Sequence, residues 1–207
     1  TDVDRAEAHE EDATRINAEG ARNVAEAAGK VVYVSTDYVF DGRKQAPYVE
    51  SDPPSPLSAY GRSKLEGELI TAEVNPRHFV VRSSWLFGTG GRNFVETMLR
   101  LGPEVRVVDD QVGCPTFTGH LAEALVRLAA TEDYGLHHMA ASGSCSWFEF
   151  AREIFARAGA DTHVSPCTTD DFPRPAPRPA WSVLESERGH RLPHWREGLD
   201  TYFGVRV

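Results

Sequence analysis

Residues 31–64, VVYVSTDYVFDGRKQAPYVESDPPSPLSAYGRSK, decide the fold of this chain. The segment opens with an uninterrupted apolar run at 31–34, which is typical of a strand buried on both faces of a parallel sheet. The run ends in two hydroxyl residues, Ser35 and Thr36. Ligands of open α/β sheets bind just beyond the carboxyl ends of the strands, so we expect these hydroxyls to face a ligand.

A loop rich in proline and aspartate follows, and Tyr60 then opens a predicted helix that carries Lys64 four residues later. Residues four apart share one face of a helix. An ammonium group near a phenol lowers its pKa from the ordinary value of about 10. The pair therefore predicts that Tyr60 is a general acid/base at a carbonyl oxygen, which Thr36 would hold in place. The same spacing also occurs on ordinary helix surfaces, and the preceding strand with its hydroxyls is what favours catalysis.

Composition limits the class of protein. The 207 residues have room for one core with a smaller lobe, and 41% hydrophobic with 26% charged residues are globular values. A net charge of −9 argues against a nucleic-acid-binding surface. No apolar run reaches membrane-spanning length and no signal peptide is visible, so we expect a cytoplasmic protein without nucleic-acid or membrane partners.

The cysteines and histidines indicate no metal site. The three cysteines are odd in number and form no C-x-x-C motif, as expected of reduced thiols in a cytosolic protein. The pair His137 and His138 has no second cluster of ligands near it in the sequence, and we therefore predict no bound metal.

Hydrophobic spacing and breakers predict the remaining elements. A helix is expected at 12–28, with Asp12 as its N-cap and Ile16 and Val24 on its apolar side. Further helices are predicted at 93–101, 120–130, 147–158 (capped by Ser146) and 195–203, and strands at 78–82, 105–108 and 136–140. The proline-rich stretch 165–178 is predicted to be a loop or lid.

Six segments that run in order along the chain resemble dTDP-4-dehydrorhamnose reductases of the extended short-chain dehydrogenase/reductase family. They are STDYVFDG (35–42), PLSAYGRSKLEGE (56–68), RSSWLFG (82–88), NFVETMLRL (93–101), VVDDQVGCPT (107–116) and RPAWSVL (178–184). The Y-x-x-x-K pattern alone indicates only the superfamily. Its combination with the other segments is far more specific.

The resemblance implies an α/β fold, in which a doubly wound Rossmann-type parallel sheet carries a smaller C-terminal α/β substrate lobe. Residues 1–88 would be the remainder of a dinucleotide-binding domain, with 115–135 packing on it. Residues 89–114 and 136–207 would form the substrate lobe. No glycine-rich turn follows an opening strand, so we expect about three N-terminal βα units, with their Gly-rich turn, to be missing from this sequence.

The implied activity is reduction of the C4 ketone of dTDP-4-dehydro-L-rhamnose to dTDP-L-rhamnose by NADPH or NADH. The choice between the two cofactors depends on a region that this sequence does not contain. The resemblance also allows a homodimer, with Mg²⁺ at the interface between subunits, which the residues themselves do not indicate.

The resemblance also implies roles for particular side chains. The catalytic residues would be Thr36, Tyr60 and Lys64. The cofactor would contact Thr1, Ser35, Tyr60, Lys64 and Ser83. The substrate would contact Thr36, Asp37, Trp85, Asn93, Gln111, Pro115, Thr116 and Arg178.

Two alternatives stay open at this point. One is another nucleotide-sugar enzyme of the superfamily, an epimerase or a dehydratase, which returns the hydride to the sugar. The other is a non-catalytic protein like the regulatory subunit of methionine adenosyltransferase. The joint presence of Thr36, Tyr60 and Lys64 favours an enzyme.

Overall fold

The structure is a computed structural model that describes residues 2–205. Thr1, a predicted cofactor contact, lies outside the described residues. The helices are α1 (Val3–Ala8), α2 (Glu10–Thr14), α3 (Gly20–Ala27), α4 (Ala59–Val74), α5 (Phe94–Met98), α6 (Thr118–Ala129), α7 (Trp147–Ala158) and α8 (Trp195–Val205). A π-helical turn at Arg15–Glu19 joins α2 to α3, and 3₁₀ turns lie at Asp37–Val39 and Thr169–Asp171. No helix among the described residues is both long enough and apolar enough to cross a membrane.

Eleven strands form small sheets in the described part of the chain. They are β1 (Val31–Thr36), β2 (His78–Ser83), β3 (Leu86–Phe87), β4 (Glu104–Val108), β5 (Val112–Gly113), β6 (Thr116–Phe117), β7 (Gly135–His138), β8 (Ala141–Ser142), β9 (Cys145–Ser146), β10 (His163–Cys167) and β11 (Leu192–His194). The central sheet has the order β1-β2-β7, and all three strands are parallel. Its register sets Thr36 beside Ser83, so the two predicted ligand-facing strand ends are neighbours.

Helices cover both faces of this sheet. Side chains along β2 alternate between the two faces. Phe79 and Val81 pack in one apolar cluster with Leu121 of α6, while Arg82 extends toward Glu68 of α4. Helix α6 therefore covers one face and α4 the other, which confirms the predicted doubly wound α/β fold.

Helix α4 lies unusually close to β1 and to the π-helical turn. A Cβ atom on Gly67 would stand 2.2 Å from both the Asn17 carbonyl oxygen and the Tyr33 hydroxyl. That hydroxyl donates to the Asn17 carbonyl over 3.0 Å. Glycine at 67 therefore permits the close packing that sets the position of α4, the helix that carries Tyr60 and Lys64.

The second half of the chain builds a smaller α/β lobe with its own core. Strands β4 and β10 pair in parallel, and α7 and α8 contribute Phe150, Ile154 and Leu199 to a fully buried cluster. Helix α7 begins with a capping box, in which the Ser146 hydroxyl accepts from the Glu149 N–H and the Glu149 carboxylate accepts from the Ser146 N–H. The predicted cap is confirmed, and the division into a dinucleotide-binding part and a substrate lobe stays a prediction.

Two predicted boundaries differ from the structure. Strand β7 pairs with β2, so residues 136–138 belong to the central sheet and not to the substrate lobe. The predicted loop at 165–178 begins with the end of strand β10, in which Pro166 lies opposite Val107. Proline is tolerated there because β10 pairs only with β4 in the described chain and is an edge strand.

The first predicted helix is real, but its cap and its apolar face are wrong. The helical segment begins at Glu10, and Asp12 lies inside it and accepts a hydrogen bond from Arg15. Ile16 and Val24 are 68% and 59% exposed, whereas small alanines fill the buried face. The π-helical turn changes the helical period and so rotates the side chains after it out of the predicted pattern. Helix α5 also ends early, at Met98 and not at 101.

Candidate active site

The fold brings Thr36 and Tyr60 together. Thr36 ends β1, and Tyr60 lies in the first turn of α4, which begins after the cap residue Ser58. The Ser58 hydroxyl accepts from the Gly61 N–H over 3.2 Å and so holds this first turn in place. The Thr36 hydroxyl lies beside the Tyr60 phenol, close enough for hydrogen bonding to lower the pKa of that phenol. Two hydroxyl groups thus meet at the carboxyl end of the sheet.

The predicted lowering of the Tyr60 pKa is wrong for this structure. Burial raises the pKa of Tyr60 to about 12, with the Thr36 hydrogen bond opposing the rise and the Asp37 carboxylate adding to it. The Lys64 ammonium does not offset this, since it donates to the Val34 carbonyl over 2.8 Å and lies 4.0 Å from the centroid of the Tyr33 ring. Tyr60 therefore keeps its proton at neutral pH, as a proton donor must.

Lys64 is close to its titration point. Burial lowers the pKa of Lys64 to about 8, although the Glu68 carboxylate acts in the opposite direction. The side chain therefore carries its positive charge at neutral pH and loses it under mildly alkaline conditions. This charge lies one helical turn from Tyr60, as the spacing predicts.

Asp37 is a buried carboxyl group against the two hydroxyls. Asp37 is 2% exposed, and burial raises its pKa to about 7. Hydrogen bonding to Ser182 and Thr36 acts in the opposite direction on that pKa. The Thr36 hydroxyl donates to Asp37 Oδ1 over 3.1 Å, and Oδ2 is buried without a partner in the described structure. The family resemblance implied only a substrate contact for Asp37. The raised pKa of Asp37 depends on burial, which could not be predicted from the sequence.

The serines at the ends of β1 and β2 differ in their surroundings. Ser83 Oγ is buried and has no hydrogen-bond partner among the described residues, so it is available to a ligand. Ser35 Oγ donates instead to Glu68 Oε1 over 2.5 Å. Glu68 in turn forms a buried ion pair with Arg82. The hydroxyl of Ser35 thus supports that ion pair, and its cofactor contact stays a prediction.

Two tryptophans form an aromatic wall beside the strand ends. The indole rings of Trp85 and Trp147 stack with centroids 3.5 Å apart and planes 3° apart. Trp85 has a φ of +45°, which is rare for a residue with a side chain. Gly113 makes room for this ring, since a Cβ there would lie 2.4 Å from the indole of Trp85. The strained backbone and the close glycine hold Trp85 in one orientation.

A groove of about 750 Å³ runs along the substrate lobe from this wall. Its lining includes Tyr38, Gln111, Trp147 and Arg178. The Tyr38 ring meets the Tyr60 ring edge-on, with centroids 6.0 Å apart, so the Tyr38 side chain lies between the groove and Tyr60. Gln111 donates to Thr169 Oγ1 over 2.9 Å at the same groove.

Some of the predicted substrate-binding residues use their polar atoms in hydrogen bonds within the protein. Asn93 caps α5 and donates to the Gly88 and Gly91 carbonyls over 2.8 and 3.0 Å. Thr116 is fully buried; its hydroxyl donates to the Cys114 carbonyl and accepts from the Ala141 N–H. Pro115 is buried beside it. Substrate contact by Asn93, Pro115 and Thr116 stays a prediction.

Arg178 lines the groove and is held there by an ion pair. Its guanidinium donates to both carboxylate oxygens of Asp4, with both distances 3.0 Å. This hydrogen-bonded ion pair lowers the pKa of Asp4 below its ordinary value. The loop that carries Arg178 is therefore tied to helix α1 at the opposite end of the sequence.

The sequence analysis missed Tyr38 and Trp147. Tyr38 lies two residues after Thr36 in the 3₁₀ turn, and Trp147 is the first residue of α7 after its cap. An aromatic residue directly after a strand end or a helix cap was the available signal for each of them.

Comparisons of sequence and structure show which known proteins this chain resembles. Residues 1–205 match the family model described as the RmlD substrate binding domain. The spore coat polysaccharide biosynthesis protein SpsK of Bacillus subtilis is 42% identical over 217 residues, which span 100% of this chain and 76% of that protein. The dTDP-4-dehydrorhamnose reductase of Sinorhizobium fredii is 40% identical over 95% of this chain and 74% of its own length. The crystal structure of dTDP-4-dehydrorhamnose reductase from Bacillus anthracis in complex with NADP superposes with a TM-score of 0.96, at 42% identity, over 100% of this chain and 78% of that one.

Proposed function

Because the chain belongs to the RmlD substrate-binding domain family, we infer that it is a dTDP-4-dehydrorhamnose reductase, which reduces the C4 ketone of its dTDP-sugar with a reduced nicotinamide cofactor. The observation that carries this inference is the pair of adjacent hydroxyls of Thr36 and Tyr60 at the carboxyl end of a parallel sheet, beside an aromatic groove. The paired hydroxyls would supply what a ketone reduction needs from the protein, a proton donor at Tyr60 and a second hydrogen-bond donor once the Thr36 hydroxyl turns from Asp37 Oδ1 to the ketone oxygen.

The residues at the strand ends fit a nicotinamide cofactor. The unpartnered buried hydroxyl of Ser83 and the ammonium of Lys64 offer polar contacts at the edge where dinucleotides bind in such sheets. The relative from Bacillus anthracis was crystallised with NADP. When bound, NADPH supplies the hydride. The side chains of Tyr60, Lys64 and Ser83 would bind the cofactor.

The protein's own residues deliver the proton. Tyr60 keeps its proton at neutral pH because burial raises its pKa, and it donates that proton as the ketone oxygen gains negative charge. The Thr36 hydroxyl lies against the same phenol and orients the oxygen. The phenolate left behind is buried and must recover a proton before the next turnover, while the Lys64 ammonium, which donates to the Val34 carbonyl, would hold the cofactor.

The groove suits a nucleotide sugar. Trp147, which lines the groove and stacks on Trp85, would present aromatic surface to the apolar side of a deoxysugar. Three guanidinium groups, those of Arg106, Arg174 and Arg178, line the groove farther along. Guanidinium groups form strong paired hydrogen bonds with phosphate oxygens, so this end would receive the diphosphate, which would compete with the Asp4 carboxylate for Arg178.

The test is oxidation of NADPH by the purified chain in the presence of dTDP-4-dehydro-L-rhamnose. One mole of cofactor consumed per mole of dTDP-L-rhamnose formed is expected. Sugar conversion without net consumption of cofactor would point to an epimerase or a dehydratase. Cofactor and sugar binding without turnover would favour a regulatory subunit. The homodimer and the interface Mg²⁺ stay predictions from the resemblance, and the cytoplasmic location stays a prediction from the composition of the sequence.

A further inference from the structure

Two histidines and an aspartate meet away from the active site. The ligand atoms of Asp133, His137 and His190 all lie within 4.8 Å of one another. Asp133 precedes β7, His137 lies in that strand, and His190 comes from the turn before β11. Since β7 runs parallel to β1, Asp133 lies toward the amino-terminal edge of the sheet, and Thr36 lies at the carboxyl edge. The cluster therefore takes no part in the proposed reduction.

The hydrogen bonds of His137 fix its tautomer. Its Nε2 atom lies 2.8 Å from the Asp133 backbone carbonyl, which accepts hydrogen bonds and cannot donate one. Nε2 must therefore carry the proton, and Nδ1 presents its lone pair. Histidines that bind metals commonly donate their second ring N–H to a carbonyl or a carboxylate in this way, which orients the ring.

The lone pair of His137 points at the second histidine. His137 Nδ1 and His190 Nε2 are 2.8 Å apart. Two nitrogen ligands of one tetrahedral Zn²⁺ stand about 3.3 Å apart, given Zn–N distances of about 2.0–2.1 Å. A shift of about half an ångström, together with a change of tautomer at His190, would place an ion where the two nitrogens now share a proton. Gly189, with a φ of +80° and open space around its Cβ position, gives the turn room to move.

We propose that Asp133, His137 and His190 form a binding site for a divalent transition-metal ion, of which Zn²⁺ is the best match. Two imidazole nitrogens and one carboxylate oxygen are ligands that Zn²⁺ prefers, and a water molecule would complete the tetrahedron. The ion pair between Arg188 and Asp133 uses Asp133 Oδ1, so the second carboxylate oxygen is available as a ligand.

The cluster is also accessible from solvent. His137 is buried, His190 is half-buried and Asp133 is exposed. An open cavity of about 300 Å³ adjoins the cluster and is lined in part by Asp133, Thr131 and His190. A hydrated ion can therefore approach from the Asp133 side, while the buried ring of His137 forms the floor of the site.

The test is titration of the chelator-treated full chain with Zn²⁺, followed by calorimetry and equilibrium dialysis, with Co²⁺ absorption as a second readout. We expect one Zn²⁺ per chain at micromolar affinity or tighter, and a visible spectrum of four-coordinate Co²⁺. His190→Ala and Asp133→Asn should each weaken binding at least about tenfold. The matched control is His163→Ala, an exposed histidine on β10, which should bind Zn²⁺ like the unaltered chain.

Three results would overturn the proposal. They are absence of stoichiometric Zn²⁺ binding to the unaltered chain, undiminished binding in both ligand variants, and an equal loss in His163→Ala. Circular dichroism checks that each variant is folded, and Asp133→Asn keeps the test decisive if His190→Ala is not, because Asp133 is exposed. None of these readouts depends on turnover, so the outcome is independent of the proposed reductase activity.

Discussion

Arg82 and Glu68 form a buried ion pair that joins strand β2 to helix α4. Arg82 is 3% and Glu68 5% exposed, and their nitrogen–oxygen distances are 2.6–3.1 Å. Ser35 at the end of β1 donates to the same carboxylate. The pair therefore connects both strands that end at the active site to the helix that carries Tyr60 and Lys64.

Removing one partner of this ion pair should destabilise the protein strongly. Glu68→Gln leaves the Arg82 charge buried without a counterion, and we expect the free energy of unfolding to fall by about 3–5 kcal/mol. Urea denaturation measures the change. Glu66→Gln, an exposed position of the same helix, is the matched control and should have little effect. Similar losses in both variants would contradict a role for the pair in stability.

Tyr60→Phe tests the proton donor directly. The variant keeps the ring but lacks the hydroxyl, so kcat should fall about 100-fold or more while NADPH still binds. Stopped-flow turnover and cofactor titration on the same sample separate the two effects. Tyr134→Phe is the control, because that hydroxyl accepts from Arg77 on the far side of β2. Turnover within a few fold of the unaltered protein would remove Tyr60 from the proposed mechanism.

The rate should depend on the charge of Lys64. Its pKa is lowered to about 8, so the ammonium loses its proton as the pH rises through that value. The neutral amine would hold the cofactor less strongly, and kcat/KM for NADPH should therefore decline above about pH 8. In Lys64→Met this alkaline limb should be missing and the rate uniformly low. A limb that persists in the variant would assign the titration to another group.

Asp37 should make the protein less stable as the pH rises. A carboxyl group whose pKa is lowered by folding has the opposite effect. The pKa of Asp37 is 3.8 in the unfolded chain and about 7 in the fold, so the folded state binds more protons between these values. The free energy of unfolding should then fall as the pH rises from about 4 to about 7, by at most a few kcal/mol. Asp37→Asn should reduce this slope, as measured by urea denaturation at several pH values. An unchanged slope would mean that Asp37 is ionised throughout.

Gly113→Ala should displace Trp85. A Cβ atom at 113 would overlap the indole, so the stack with Trp147 must open. We expect a KM for the dTDP-sugar raised about tenfold, a loss of about 1–3 kcal/mol in unfolding free energy, and altered tryptophan fluorescence. Gly102→Ala, at a position with open space around its Cβ, is the control. Unchanged fluorescence in Gly113→Ala would show that the ring is not held there.

Local pattern was enough to predict the frame of the site. The apolar run that ends in Thr36 and the helix that opens at Tyr60 both depend on neighbouring residues, and both have the predicted places. The capping box at Ser146 is equally local and is confirmed. These features are readable because strand hydrophobicity and helix caps act over a few residues.

Features that depend on tertiary contact were missed. Val24 lies after a π-helical turn that changes the helical period, and the hydrophobic pattern carries no sign of such a turn. Lys64 bonds to the Val34 carbonyl, so the proximity of charge to Tyr60 that the spacing suggested does not lower the phenol's pKa. His137 and His190 are 53 positions apart, and only the fold joins them.

The contact between Asp4 and Arg178 has a consequence for biosynthesis. The two residues are 174 positions apart, whereas β1, α4 and β2 all lie within the first 83 residues. Domains fold as the chain emerges from the ribosome, so the helix with Tyr60 can form long before Arg178 is available. The groove is complete only when the segment that carries Arg178 has been translated. A nascent chain would therefore hold its proton donor in place before its substrate groove is finished.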